Sequence, residues 1–245
     1  MSTTAVLRSE WIKIRSLRSV AGSLIAVFLV TMVVTVLTFA TVGQAEADDA
    51  DAELVFGAFY ALNFGQIAAI SFGATAISSE YLNGALRMSL AAVPRRTHFY
   101  TVKMSLIGGA ALAVGLITTF GSFLSGQLFM GEYAIGLGEP GALRAALGGA
   151  LYLALMALFA AGLAVLLRSA IAVLSLLIPF ILIVSFVVGD IAGGAADYLP
   201  DRAGQLVLHQ HPEGSLGPWT GLAVTAGWAA VMLLAGWGVI RRRDA

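Results

Sequence analysis

The sequence has no cysteine, three histidines, and only two lysines among its 14 basic residues. Without cysteine there can be no disulfide, thiolate metal site, iron–sulfur cluster or cysteine nucleophile, and the redox compartment stays open. The lysines, Lys13 and Lys103, follow Ile12 and Val102, so no GxxxxGK[ST] loop exists and ATP hydrolysis by that route is excluded. Gly-x-Ser and HExxH are both missing, which removes the nucleophile elbow and the zincin motif. The 14 Lys+Arg and 14 Asp+Glu cancel, so no global basic field is available to hold nucleic acid.

Charge is also missing from six long stretches: 19 to 45, 54 to 79, 104 to 131, 145 to 167, 169 to 189 and 214 to 240. A hydrocarbon core of about 30 Å takes about 20 helical residues, and each stretch is long enough. With 59% hydrophobic and 11% charged residues and a mean hydropathy of +0.89, the 245-residue chain reads as a membrane protein. Alternating ten-residue strands are absent, which argues against an outer-membrane barrel. The fold class expected is all-α: one polytopic transmembrane domain over 1–245, with six spans near 20–43, 54–78, 104–130, 145–167, 169–189 and 218–240. Ala45-Glu46-Ala47 resembles a signal cleavage site, but the preceding apolar run exceeds an ordinary signal core, so it reads as a retained first helix.

Orientation follows from the basic residues. Twelve of the 14 fall before span 1, between spans 2 and 3, between spans 4 and 5, and after span 6; Arg144 and Arg202 are the exceptions. The other connections carry Glu46, Asp48, Asp49, Asp51, Glu53, Glu132, Glu139, Asp190, Asp197, Asp201 and Glu213. Both termini are therefore expected in the cytoplasm, with the chain in the cell membrane. The connection at 190 to 217, rich in Gly and Pro, reads either as short helices on or in the membrane or as an ordinary external loop. Its His209-Gln210-His211 pair would need further converging ligands to hold a metal, so it is read as solvated loop and no metal site is assigned.

The spans hold no Asp, Glu, Lys, Arg or His, and hence no ionisable coupling device for a self-energised pump. Thr31, Thr35 and Thr38, and Thr118, Thr119, Ser122 and Ser125, read first as interhelical hydrogen-bonding groups. Asn63, Gln66 and Ser71 in span 2 are the candidates for lining a pathway. No internal repeat is evident, which weakens the case for an inverted-repeat carrier.

Two segments outside the spans carry more pattern than connections require. In and just before residues 9 to 19, SEWIKIRSLRS, Leu7, Trp11 and Ile14 fall at i, i+4, i+7 with Arg8 and Arg15 on one flank, which suits a helix in the headgroup layer. In residues 79 to 103, Glu80, Asn83, Gly84 and Arg87 share one helical face and Leu82, Leu86, Leu90 and Val93 the opposite one, before Pro94 ends the helix. The pattern predicts an amphipathic helix of about fourteen residues whose Gly84 admits another backbone, docking a soluble partner or lying on the membrane.

At these residues the chain resembles the six-span permease subunits of type-2 ATP-binding-cassette (ABC) exporters, particularly actinobacterial ones. SEWIKIRSLRS is similar to their N-terminal elbow helix, which makes Glu10, Trp11, Lys13, Arg15 and Arg18 the interfacial residues. EYLNGALR, followed by VPRR and Lys103, is similar to their segment between spans 2 and 3, although Ala85 stands where Thr is usual. The resemblance implies that Glu80, Tyr81, Asn83, Gly84, Arg87, Pro94, Arg95 and Arg96 form a coupling helix docking on a separate nucleotide-binding subunit. It implies a second permease, identical or related, paired mainly through spans 2 and 5, and short helices between spans 5 and 6. ATP and Mg²⁺ would then sit on the partner, with no catalytic site or cofactor in this chain, and the lipid bilayer as its solvent. An apolar pathway without intramembrane charge suits a hydrophobic or amphipathic cargo. The rival readings are a membrane anchor or assembly subunit using the same docking helix, and a carrier borrowing its charged site from another chain.

Overall fold

The computed structural model describes residues 3–48, 53–185, 187, 193–212 and 215–242, with Asn83 and Val184 described by backbone alone. Asp49, Asp51, Asp190, Glu213, Arg243 and Asp244, which entered the charge argument, lie outside the described residues, as does the end of the expected fifth span.

In lipid a spanning segment must satisfy its own backbone N–H and C=O groups, so the uncharged stretches become helices, and no strand occurs among the described residues. The order is α1 (Thr3–Ser16), α2 (Arg18–Thr41), α3 (Gly43–Ala47), α4 (Leu54–Phe59), α5 (Leu62–Ser78) and a 3₁₀ turn Ser79–Gly84. It continues with α6 (Ala85–Ala92), α7 (Arg96–Gln127), α8 (Ala142–Leu167), α9 (Ala170–Pro179), α10 (Pro200–Gln205) and α11 (Pro218–Arg242). Leu17 takes an extended conformation (φ −83°, ψ 109°) and separates α1 from the first span.

Five helical stretches are long and apolar enough to cross a membrane: α2, α4 with α5 continuing into the 3₁₀ turn, α7, α8 and α11. The sixth is shorter, an apolar helix over Ala170–Ile183 that contains Pro179 and passes into a π-helical turn at Phe180–Ser185. Proline removes a helical hydrogen bond and crowds the preceding turn, which places the change of helix type beside it. Helix α7 starts at Arg96 rather than near 104. Pro94 prevents an earlier start, and charged residues on the first turns hide the helix from a hydropathy reading.

Helix α8 is the centre of the bundle, packed against α5, α7 and α11, while α2 packs on α5 and α7. Small residues permit this: a Cβ on Gly73 of α5 would clash with the backbone carbonyl of Ala157 in α8. Lipid offers no hydrophobic drive for helix association, so such close backbone approach supplies the dispersion contacts instead. The hydroxyls of spans 1 and 3 serve the same packing, with Thr35 Oγ1 and Ser122 Oγ 2.7 Å apart between α2 and α7. Thr31, Thr118 and Thr119 are likewise buried.

Short helices do occur between spans 5 and 6: 3₁₀ turns at Gly193–Tyr198 and Leu206–Leu208 flank α10. They pack on α8 and α11, with Pro200, Asp201, Ala203, Val207 and Leu208 buried. Thr225 Oγ1 donates to the carbonyl of Pro200 at 2.7 Å, and Gln205 Nε2 to Tyr152 Oη at 3.3 Å. His209 stacks on Phe56 with centroids 4.0 Å apart, and its Nδ1 is 2.7 Å from Glu53 Oε2. Among the described residues no group of three His, Cys, Asp or Glu converges as a metal site.

Candidate functional site

The side chains of α1 that face the bundle are Val6, Glu10 and Ile14, spaced four apart on one face. This stripe stands one residue before the Leu7 and Trp11 positions that hydrophobicity alone selects, and Trp11 is 41% exposed. The cause is Glu10, whose partners lie inside: Lys13 Nζ at 2.7 Å from Oε1 and Lys103 Nζ at 2.7 Å from Oε2. Lys13 therefore turns toward protein carboxylates, while Arg15 on α1 and Arg18, the first residue of α2, are exposed.

The segment after span 2 is not the single helix its periodicity predicts. The 3₁₀ turn Ser79–Gly84 meets α6 at Gly84, whose φ of 72° and ψ of 17° are left-handed. A Cβ at Gly84 would meet nothing within 4 Å, so glycine is required there by the backbone conformation and not by close approach within this chain. The bend separates the residues expected on one face: Glu80 is 4% exposed, whereas Arg87 is on the surface. The side chain of Asn83 lies outside the described residues. Leu86 is buried, and Leu82 and Met88, 64% and 68% exposed, form the outward apolar surface of the segment. Val93 (φ −127°, ψ 82°) ends α6 before Pro94.

Glu80 is the hub of a buried ion cluster. Its Oε1 is 2.6 Å from Lys103 Nζ and 2.9 Å from Lys13 Nζ, and its Oε2 accepts a 2.9 Å hydrogen bond from Ser89 Oγ. Lys13 Nζ also donates to Ser89 Oγ at 2.9 Å. Two carboxylates and two ammonium groups thus close a ring of zero net charge that joins α1, the 3₁₀ turn with α6, and α7. Both ammonium nitrogens stand 5.9 Å from the centroid of Phe99, which covers the ring with an aromatic face. Burial alone would raise the Glu80 pKa, but the charge and hydrogen bond of Lys103, helped by Lys13, hold it below the ordinary carboxylate value. Burial would likewise lower Lys13, but hydrogen bonds and charge from Glu10 and Glu80 hold it above the ordinary lysine value.

A second contact ties the segment to the central helix. Helix α8 ends at Arg168 in the left-handed region (φ 56°), where its N–H bonds the Ala164 carbonyl at 2.8 Å. The Arg168 guanidinium lies 5.4 Å from the centroid of Tyr81, whose hydroxyl is 3.5 Å from the Val165 carbonyl. Helix α1, the segment 79–92, α7 and the end of α8 are therefore tied into one joint. Pulling one ion from a buried pair leaves the other uncompensated, at a cost of about 3 to 5 kcal/mol, so displacement of one segment carries the others.

Other expected residues fall elsewhere. Arg95 and Arg96 stand at the start of α7 beside the end of α11, where Arg96 Nη1 donates to the Ile240 carbonyl at 3.1 Å. Asn63 and Ser71 are partly exposed on α5; Asn63 donates to the carbonyl of Tyr60 at the end of α4, and Ser71 to that of Ile67 in its own helix. Gln66 is buried, accepting from Tyr152 Oη and donating to the Asn63 carbonyl at 3.1 Å, so it serves packing within this chain. Sequence reasoning missed Lys103, Ser89 and Arg168 as members of the joint. One signal was available: the only two lysines of the chain, and the only two glutamates on the basic side of the charge division, are the four ions of the ring.

A family model described as ABC-2 family transporter protein matches residues 6–188, which takes in the elbow, the ion ring and the first spans. The match covers well over half of the 245 residues, and the chain belongs to this transporter family. No curated protein matches it.

Proposed function

We propose that this multi-pass ABC-2 family permease subunit is the membrane half of an exporter, driven by a separate ATP-hydrolysing subunit that docks on the segment 79–93. The observation that carries this reading is the ion ring of Glu10, Lys13, Glu80 and Lys103, which fixes the docking segment to the elbow and to α7. The exposed Leu82 and Met88, with Arg87 nearby, supply the docking surface, while Glu80 faces inward and transmits. ATP and Mg²⁺ sit on the partner, and two permeases, identical or related, enclose the path. Docking of ATP-bound partners draws the two coupling segments together, the joint passes that displacement to α1, α5 and α7, and hydrolysis resets it.

The cargo is hydrophobic or amphipathic. The uncharged span interiors support this, since a small ion would need ionisable or coordinating groups at depth. The partly exposed polar groups of Asn63 and Ser71 are the places on α5 where a polar part of such a cargo would rest. The chain lies in the cell membrane with the elbow and coupling segment in the cytoplasm. A photo-crosslinking residue at Met88 tests the assignment in cells: the expected adduct is a protein carrying a phosphate-binding loop. An adduct with a protein lacking that loop would make the chain an anchor for another complex.

A further inference from the structure

Arg95, Arg96, Thr97, His98, Thr101 and Arg241 line an open groove of about 630 Å³ between the start of α7 and the end of α11. Three guanidinium groups, one imidazole and two hydroxyls converge there, and no carboxylate of the described residues lines it. The planar guanidinium suits phosphate oxygens in pairs, and Arg95 from the start of α7 and Arg241 from the end of α11 are both exposed in the groove lining. The amino-terminal end of α7 adds the positive end of its helix dipole on the same side.

The groove is built from contacts between the two helices. Arg96 Nη1 donates to the Ile240 carbonyl at 3.1 Å, and Trp237 Nε1 donates to Thr97 Oγ1 at 3.3 Å. The Arg241 guanidinium is 4.7 Å from the Trp237 ring centroid, so cation–π contact orients it beside the groove. Both helices are membrane spans, and the indole with its polar edge toward Thr97 marks the level of the headgroups. Arginine side chains at this level reach phosphate while their stems cover apolar surface.

We propose that this groove is a phosphate site, filled by the headgroup of an anionic phospholipid, which pins the end of the last span to the start of α7. Arg95 and Arg96 then belong to lipid recognition rather than to docking of the ATPase. The inference rests on the membrane reading of α7 and α11 but requires no ATPase partner, so its failure leaves the coupling assignment intact.

The test uses the full chain purified in a neutral detergent, with retention of added lipid read by native mass spectrometry. Phosphatidylglycerol should be retained at least about tenfold more strongly than zwitterionic phosphatidylcholine, a difference of about 1.4 kcal/mol. Arg95→Gln combined with Arg241→Gln should abolish the preference, whereas Arg202→Gln, in α10 and outside the groove, should leave it unchanged. Inorganic phosphate forms the third arm: saturation by millimolar phosphate, with the same dependence on Arg95 and Arg241 and no lipid preference, would confirm the phosphate site and assign its ligand to solution. Unchanged retention by the Arg95/Arg241 variant, or equal loss in the Arg202 variant, would overturn the proposal, since the effect would then be diffuse surface charge.

Discussion

Glu80 and Lys103 are 2.6 Å apart although 23 residues separate them in the chain, and each is less than a tenth exposed. Nothing within the 3₁₀ turn or within α7 requires either ion, so the pair exists to hold the two elements together. Lys103→Met should destabilise the fold by about 3 to 5 kcal/mol, because Glu10 and Glu80 would each lose a buried counter-charge. The double variant Glu80→Gln/Lys103→Gln leaves the Glu10–Lys13 pair and should be more stable than Lys103→Gln or Glu80→Gln alone. Thermal unfolding in detergent, followed by size-exclusion fluorescence, measures the cycle; strictly additive losses would show that the pair is not coupled.

The same ring sets a pH window. Glu80 is held below its ordinary value of 4.5, so its contribution is present above about 4.5 and is lost as pH falls through the lowered value. Lys13 is held above 10.5, so its contribution is present below 10.5 and is lost as pH rises through the raised value. The contribution of the ring should be flat between these limits and fall outside them. Glu80→Gln should weaken the acid limb specifically, and an unchanged acid limb in that variant would place the titrating group elsewhere.

Gly84 is predicted to tolerate asparagine better than alanine. Its left-handed φ of 72° costs an L-residue with a Cβ about 1 to 2 kcal/mol, less for Asn, while the open space around it removes any steric objection. Gly84→Ala should therefore reduce the thermal midpoint with the membrane helices intact by circular dichroism. Equal midpoints for Ala and Gly would mean the bend is not needed.

On the opposite face Asp201 is 3% exposed, and burial pushes its carboxyl above the usual value of 3.8 despite the hydrogen bonds and charge around it. An acid whose pKa rises on folding favours the fold when neutral and costs stability as pH climbs through its raised value. Asp201→Asn should thus match or exceed the wild-type midpoint at neutral pH and flatten this part of the pH dependence. A large loss at neutral pH would show that the ionised form makes a contact the neutral amide cannot replace.

The apolar runs disclosed the helices that could span because lipid leaves the backbone one solution, and the segments 9–19 and 79–93 stood out by having apolar faces outside those runs. What hydropathy could not show is which face a charge selects. Trp11 outranks Glu10 on any apolar scale, yet two lysines turn Glu10 inward and leave Trp11 at the surface. Likewise a helical wheel drawn over 79–93 assumes one axis, and the left-handed Gly84 breaks it, separating Glu80 from Arg87. Pro179 within α9 was visible in sequence, but its effect on the helix type depends on packing that periodicity does not carry.

Topology is open to direct labelling in this Cys-free chain. Ser89 is a poor reporter because its hydroxyl bonds Lys13 and Glu80, whereas Met88 beside it is exposed. Met88→Cys should resist an impermeant thiol reagent in intact cells, and Glu139→Cys, exposed on the opposite face, should react. The reverse pattern would invert the molecule and place the segment 79–93 outside, contradicting the proposed docking.

The account as a whole depends on the ring transmitting force from a docked ATPase. The most direct measurement is cargo-stimulated ATP turnover by the permease and its ATP-binding subunit in vesicles, comparing wild type with Glu80→Gln/Lys103→Gln. The predicted result is that the partner still co-purifies while stimulation falls by about 5- to 150-fold, the range of a 1 to 3 kcal/mol coupling energy. Full stimulation by a folded, partner-bound double variant would contradict the claim that this joint couples hydrolysis to the membrane helices.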